Sequence, residues 1–201
     1  MLYVFFSCLF VFLGMYIGDI GDKKNMKNIS INMVFGLFLL NSLISLFPFC
    51  FNFLYTNYHS STFLYVFLGI VLGFSLMKLV SIKYDEPDNI CITGFSLFNS
   101  YLLFFSKFNF LFLIINMLYY VILGIYIRKS RSWICVFIGM LVGLFLSMFN
   151  TWIFGYVFTI ILGCLIYFIV SVYSIVFKSN SKYSYYGLIV GMLIAFLGCV
   201  L

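Results

Sequence analysis

The chain consists of long apolar runs separated by short polar breaks, and this pattern limits its fold more than any other feature. A helix that crosses a lipid bilayer needs about 20 mainly apolar residues. Eight runs approach that length: 2–18, 31–53, 62–82, 90–106, 108–128, 132–149, 152–177 and 184–201. We therefore expect an all-α integral membrane protein with eight transmembrane helices, referred to below as spans 1 to 8.

The composition agrees with a membrane protein and excludes a water-soluble globule. Of the 201 residues, 65% are hydrophobic and only 8% are charged, whereas soluble domains carry about 25% charged residues. No polar stretch is long enough to form a separate soluble domain. We therefore expect residues 1–201 to form one transmembrane domain, in the plasma membrane and with the lipid bilayer as its first partner.

The basic residues predict how the chain is oriented. If there are eight spans and the N-terminus is outside, ten of the eleven Lys and Arg residues fall in the inside loops, and only Lys107 falls outside. The ten are Lys23, Lys24, Lys27, Lys78, Lys83, Arg128, Lys129, Arg131, Lys178 and Lys182. Cytoplasmic loops carry such an excess of positive charge, so we expect both termini outside. Because this accounts for the net charge of +6, no nucleic-acid partner is expected.

Glycine spacing suggests internal symmetry. Spans 1, 3, 6 and 8 each contain a GxxxG pair: Gly14 and Gly18, Gly69 and Gly73, Gly139 and Gly143, Gly187 and Gly191. Such pairs usually mark close helix packing. Spans 1 and 6 would cross the membrane in opposite directions, so 1–82 and 132–201 are predicted to be inverted three-helix repeats. They flank a central hairpin at 90–129, which gives a 3+2+3 arrangement. Inverted repeats are typical of alternating-access transporters.

The central hairpin carries polar residues inside apolar runs. Spans 4 and 5 are separated only by the polar break at 106–109, so we expect them to pair tightly. Two stripes at helical spacing follow these spans: Thr93, Ser96, Asn99 and Ser100 on span 4, and Asn109, Asn116, Tyr119 and Tyr120 on span 5. They are either the lining of a transport path or hydrogen-bonding residues that hold the bundle together.

Residues with acid–base or metal-binding chemistry are scarce within the spans. The five acids, Asp19, Asp22, Asp85, Glu86 and Asp88, lie at span ends or in inside loops, and His59 lies in an outside loop. The six cysteines are scattered and form no CxxC motif. An enzyme, a proton relay and a cofactor are therefore not expected.

Local sequence resembles the ZIP family of divalent-metal transporters. The run from Gly36 to Pro48 is similar to that family's second helix, which ends in His/Glu-Leu-x-Pro-Glu; here Ser45 and Phe49 replace the two polar positions. The stretch 187–192 is similar to the glycine-rich last helix. The two His-Asn-x-Pro-Glu-Gly signatures of the family align with stretches that begin at Phe98 and Ile115, where only Asn99 and Asn116 persist.

This resemblance implies a ZIP-like fold and transport of a divalent metal ion such as zinc, iron or manganese. It would make Asn99 a metal ligand, with the path lined by Asn116, Ser96, Ser100, Ser45 and Tyr119. The family's remaining ligand positions are occupied here by Phe98, Leu102, Ile115 and Tyr119. The alternative is a non-transporting ZIP-like scaffold or regulatory partner that binds a second copy of the chain or another membrane protein. A permease for a neutral solute is a third interpretation, because the path is uncharged.

A second, shorter resemblance involves the end of span 1. The stretch 19–24 is similar to the Glu-x-Gly-Asp-Lys-Thr signature of a family of cation/proton exchangers. That family needs two acidic copies in the membrane, and this chain has one copy at a helix end. A lysine-rich inside loop is the preferred interpretation of this stretch.

Overall fold

A computed structural model describes residues 2–20, 23–83, 88–105, 110–128, 132–149, 153–178 and 182–200. Almost all of these residues are helical. The helices are α1 (Leu2–Ile20), α2 (Lys23–Leu40), α3 (Phe47–Tyr58), α4 (Thr62–Lys83), α5 (Asp88–Phe105), α6 (Phe110–Ile127), α7 (Trp133–Ser147), α8 (Ile153–Lys178) and α9 (Lys182–Val200). A π-helical segment, Asn41–Leu46, joins α2 to α3, and a short 3₁₀ turn, His59–Ser61, joins α3 to α4.

The helices are those of a membrane-embedded protein, and the expected all-α class is confirmed. Among the described residues, five stretches are long and apolar enough to cross a bilayer: Tyr3–Ile20, Asn28–Thr56, His59–Lys83, Phe110–Ile127 and Ile153–Phe177. Trp133–Ser147 and Tyr185–Cys199 are shorter apolar helices. The polar break predicted at 106–109 and the charged residues Asp22, Asp85, Glu86, Lys107, Lys129 and Arg131 lie outside the described residues.

Span 2 is longer than its apolar run and changes its pitch in the middle. The run at 31–53 predicts a single helix of that length, but helical structure extends from Lys23 to Tyr58. Extending an existing helix costs little once its first turn has formed, so polar residues can continue it. The π segment ends at Leu46, two residues before Pro48. Proline has no N–H to donate to the carbonyl four residues earlier. At the end of the segment the N–H of Phe47 bonds to the carbonyl of Ser42, five residues back.

Four helix pairs make the most extensive contacts: α1 with α6, α5 with α7, α2 with α9, and α4 with α8. Smaller contacts join α1 to α7 and α5 to α6, and α8 to α2 and α3. Further contacts join these pairs where α6 meets α2 and α9 and where α5 meets α8, so the helices pack as one bundle. The predicted hairpin helices, α5 and α6, contact each other less than they contact α7 and α1.

The glycines of the GxxxG pairs lie at these four close contacts. A methyl group added to any of them would meet the partner helix: Gly14 and Gly18 face α6, Gly69 and Gly73 face α8, Gly139 and Gly143 face α5, and Gly187 and Gly191 face α2. Gly36 and Gly163 lie at the same contacts on the opposite helices, facing α9 and α4. Because the missing side chains let two backbones approach, these residues bring the paired helices together.

Candidate functional site in the central helices

Four polar side chains from three helices form one buried hydrogen-bond network, called here the tyrosine network. The hydroxyl of Tyr3 on α1 donates toward Asn116 Oδ1 and toward the hydroxyl of Tyr120, both at 3.2 Å. The Tyr120 hydroxyl and Ser100 Oγ lie 3.1 Å apart. The sequence brings Asn116 and Tyr120 to one face of α6 because they are four residues apart.

The tyrosine network is buried. Ser100, Asn116 and Tyr120 have no measurable exposure, and Tyr3 is 5% exposed. A hydroxyl or amide removed from water is costly unless it finds a hydrogen-bond partner. The network provides those partners among uncharged groups, so it stabilises the contact of α1, α5 and α6 without placing a charge in the bundle.

Asn99 and Asn116, the two asparagines singled out on spans 4 and 5, meet, but not through both side chains. Asn116 Nδ2 donates to the backbone carbonyl of Asn99 at 3.4 Å. The Asn99 side chain turns back along α5 and donates to the carbonyl of Phe95 at 2.9 Å. The contact therefore joins α5 to α6, while the Asn99 side chain hydrogen-bonds within its own helix.

The remaining residues of the predicted path lie at other interfaces. Ser96 is buried against Gly139 of α7, and its hydroxyl makes no hydrogen bond. The hydroxyl of Tyr119 reaches α9, where it lies against Gly198 and donates to the carbonyl of Ala195 at 3.4 Å. Ser45, on the π segment, is half-buried and lies within hydrogen-bonding reach of Cys199 on α9. Of the six predicted path residues, Asn99, Asn116 and Ser100 thus lie at the contact of α5 with α6, Tyr119 and Ser45 lie against α9, and Ser96 lies against α7.

Aromatic rings fill positions where the ZIP resemblance places polar groups. Phe98 is fully buried on α5, and its ring centre lies 5.6 Å from that of Phe49 and 5.5 Å from that of Phe158. Phe49, on α3, lies at another position where the ZIP resemblance expects a polar residue. Tyr101 packs on the same cluster, 4.8 Å from Phe158. Two positions that would carry polar side chains in a metal path are therefore joined here by ring packing.

The chemistry available at this site is that of neutral oxygen and nitrogen atoms. Within the described residues, no group of three or more His, Cys, Asp or Glu side chains comes together to hold a metal ion. Asp88, an acid in the first turn of α5, accepts a hydrogen bond of 2.5 Å from Tyr126 and ties the start of α5 to α6.

The sequence interpretation missed the contribution of α1 to this site. Tyr3 supplies a donor to the network, and Ser7 is buried one turn later on α1. Their spacing of four residues is the one signal that places them on a common face. Nothing in that spacing identifies Asn116 and Tyr120 as the partners of Tyr3.

No protein-family model matches the chain, and no curated protein matches it.

Proposed function

We propose that this chain is a ZIP-like, eight-span protein of the plasma membrane whose metal path has been replaced by dry packing. It acts as a non-transporting scaffold that assembles with another membrane protein. The observation that carries this proposal is the ring contact of Phe98 with Phe49 and Phe158, since it fills positions where a metal path needs polar ligands.

The pairing of the helices supports the 3+2+3 arrangement with inverted repeats. In such an arrangement α1 corresponds to α7, α2 to α8, α4 to α9 and α5 to α6. The contact of α1 with α6 then corresponds to that of α7 with α5, and the contact of α2 with α9 to that of α8 with α4. All four contacts are present and all four are lined by glycines.

Both termini outside is the orientation that we infer from the basic residues. It is tested by fusing a reporter that is active only in the cytoplasm to either end and to the α4–α5 connection. Activity is expected only at the connection. Activity at either terminus would contradict an eight-span chain with its ends outside.

The energetics of dehydration favour a scaffold over a metal carrier. A divalent cation in a membrane interior needs several carboxylate, imidazole or thiolate ligands to offset its lost hydration. The oxygens of Asn116 and Tyr120 are already engaged in the tyrosine network. A metal ion would have to break those hydrogen bonds and receive only neutral ligands in return.

Metal uptake tests the proposal directly. Cells that express the chain and control cells without it are given radioactive zinc, iron or manganese, and the variant Asn99→Ala is measured beside them. We expect equal accumulation in all three, together with a complex larger than one chain after extraction in mild detergent. Accumulation that depends on the chain would overturn the scaffold proposal.

A divalent-cation carrier is the second candidate, and one observation favours it. The two asparagines retained from the signatures, Asn99 and Asn116, are brought into contact across α5 and α6. For a carrier, uptake must exceed that of the control cells and must fall in Asn99→Ala.

A further inference from the structure

A cleft of about 510 Å³ lies between α1 and α7. It is lined by five residues of α1 between Val4 and Phe12 and by Phe137 and Leu141 of α7. Each of the two helices packs closely against another partner, α1 against α6 and α7 against α5, and the direct contact of α1 with α7 is small. The cleft is therefore the space left between two tightly joined helix pairs.

The cleft is apolar and opens toward the lipid. Every side chain that lines it is apolar. Phe5, Leu9 and Phe12 are about half exposed or more, and in a membrane-embedded chain such side chains face the bilayer. Val4 is buried and Cys8 is half-buried. The two smallest side chains of α1 in the cleft thus form its floor, and the larger ones form its rim.

We propose that this cleft binds one acyl chain of a membrane phospholipid. The stretch from Val4 to Phe12 is about 12 Å long, at 1.5 Å per residue. A helix with its side chains is about 10–12 Å across, so a segment of that length would occupy roughly 900 Å³ or more. Another helix could lie across the cleft but not within it, and the gap left below would lose dispersion contacts. An acyl chain is a single file of methylenes and enters the cleft fully.

The bound chain joins two parts of the bundle that touch little. In a membrane, helices associate through van der Waals contact, because lipid is as apolar as the protein interior. The rings of Phe12 and Trp133, 5.6 Å apart, bring α1 and α7 together at one end of the cleft. Along the rest of it, the acyl chain supplies the contacts that the two helices do not make directly. It thereby links the α1–α6 pair to the α5–α7 pair.

The test is photochemical cross-linking with a phospholipid that carries a diazirine on one acyl chain. The full-length chain is reconstituted into vesicles of unlabelled phospholipid with a small fraction of this probe, irradiated, and the labelled residues are located by mass spectrometry. The reference is the stretch 63–72 of α4, which exposes six large apolar side chains to lipid. We expect label per residue at 4–12 and 137–141 to be several-fold higher than at 63–72.

A pair of neighbouring variants shows whether the excess label depends on the cleft. Leu141 lines the cleft and is 37% exposed, whereas Val142 is 38% exposed and does not line it. Leu141→Trp fills the cleft and should reduce the label on 4–12 to the level of the reference stretch. Val142→Trp adds the same bulk outside the cleft and should leave the excess unchanged.

Two results would overturn the bound acyl chain. Equal label on 4–12 and 63–72 in the wild type would mean that only bulk lipid touches α1, and lower label on 4–12 would mean that a protein covers the cleft. An excess that persists in Leu141→Trp would place the lipid elsewhere. The wild-type comparison needs no variant to fold, and it is independent of the scaffold proposal, which uptake of divalent metals tests separately.

Discussion

The contact between α2 and α9 depends on a glycine, and replacing Gly36 by alanine tests how closely the two helices approach. A Cβ atom at Gly36 would lie 2.6 Å from the carbonyl oxygen of Leu188 and 3.1 Å from the amide nitrogen of Met192. Both are backbone atoms of α9 and cannot rotate away. The helices would have to separate.

The required separation sets the size of the effect. Ordinary contact of a Cβ atom begins at 3.4 Å, so the backbones must move apart by about 0.8 Å, the difference between 3.4 and 2.6 Å. A gap of 0.5–1 Å forfeits about a quarter to a half of the dispersion attraction of each atom pair that it opens. Overpacking of this kind typically costs about 1–3 kcal/mol.

Gly94→Ala is the matched control, because it has the same gain in helix propensity but a milder collision. A Cβ atom at Gly94 would first meet the Cγ2 methyl of Ile161 at 3.0 Å, and that side chain can adjust. We expect Gly36→Ala to be less stable than Gly94→Ala by about 1–3 kcal/mol. The assay is equilibrium unfolding in mixed micelles of increasing SDS content, followed by tryptophan fluorescence.

Equal free energies of unfolding for the two variants would refute the reasoning. That result would mean that α2 and α9 are not held at the distance that brings Gly36 against Leu188.

Three further predictions concern hydrogen bonds. Tyr120→Phe should lower the free energy of unfolding by about 1–3 kcal/mol in the same SDS titration, since it leaves two buried hydroxyls short of a partner. The control is Tyr185→Phe, at an exposed position, which should change the free energy of unfolding by less than about 0.5 kcal/mol. Tyr126→Phe should lower it by about 1.5–3 kcal/mol by removing the donor to the Asp88 carboxylate, and an unchanged transition midpoint would argue against that bond. Pro48→Ala restores a backbone donor after the π segment, so amide hydrogen exchange across 41–46, followed by mass spectrometry, should slow. Unchanged exchange would show that the proline does not cause the π segment.

The class of the fold could be read from the residues because it depends on local properties. Runs of apolar residues near the length of a bilayer require helices, since a helix satisfies its backbone hydrogen bonds internally. The helix limits were less predictable. The apolar run at 31–53 did not reveal that the helix begins at Lys23, because polar residues at a membrane boundary can continue a helix as readily as end it.

The candidate site was only partly predictable from the sequence. Asn99, Ser100, Asn116 and Tyr120 were singled out as polar residues on two neighbouring helices, and they do meet. Tyr3 was not, because its partners lie more than a hundred residues away in the chain. Ser96 shares a stripe with Asn99 but faces α7.

The sequence by itself determined that the chain is an all-α membrane protein and that its apolar runs carry almost no charged residues. The tertiary structure decided which helices pair and which way each polar side chain points: Asn99 toward its own helix, Tyr119 toward α9 and Phe98 into a cluster of rings. The physical reason is that lipid is as apolar as a protein core. In a soluble protein, hydrophobic periodicity separates the buried face of a helix from the exposed one. In this chain both faces are apolar, and only packing in three dimensions distinguishes them.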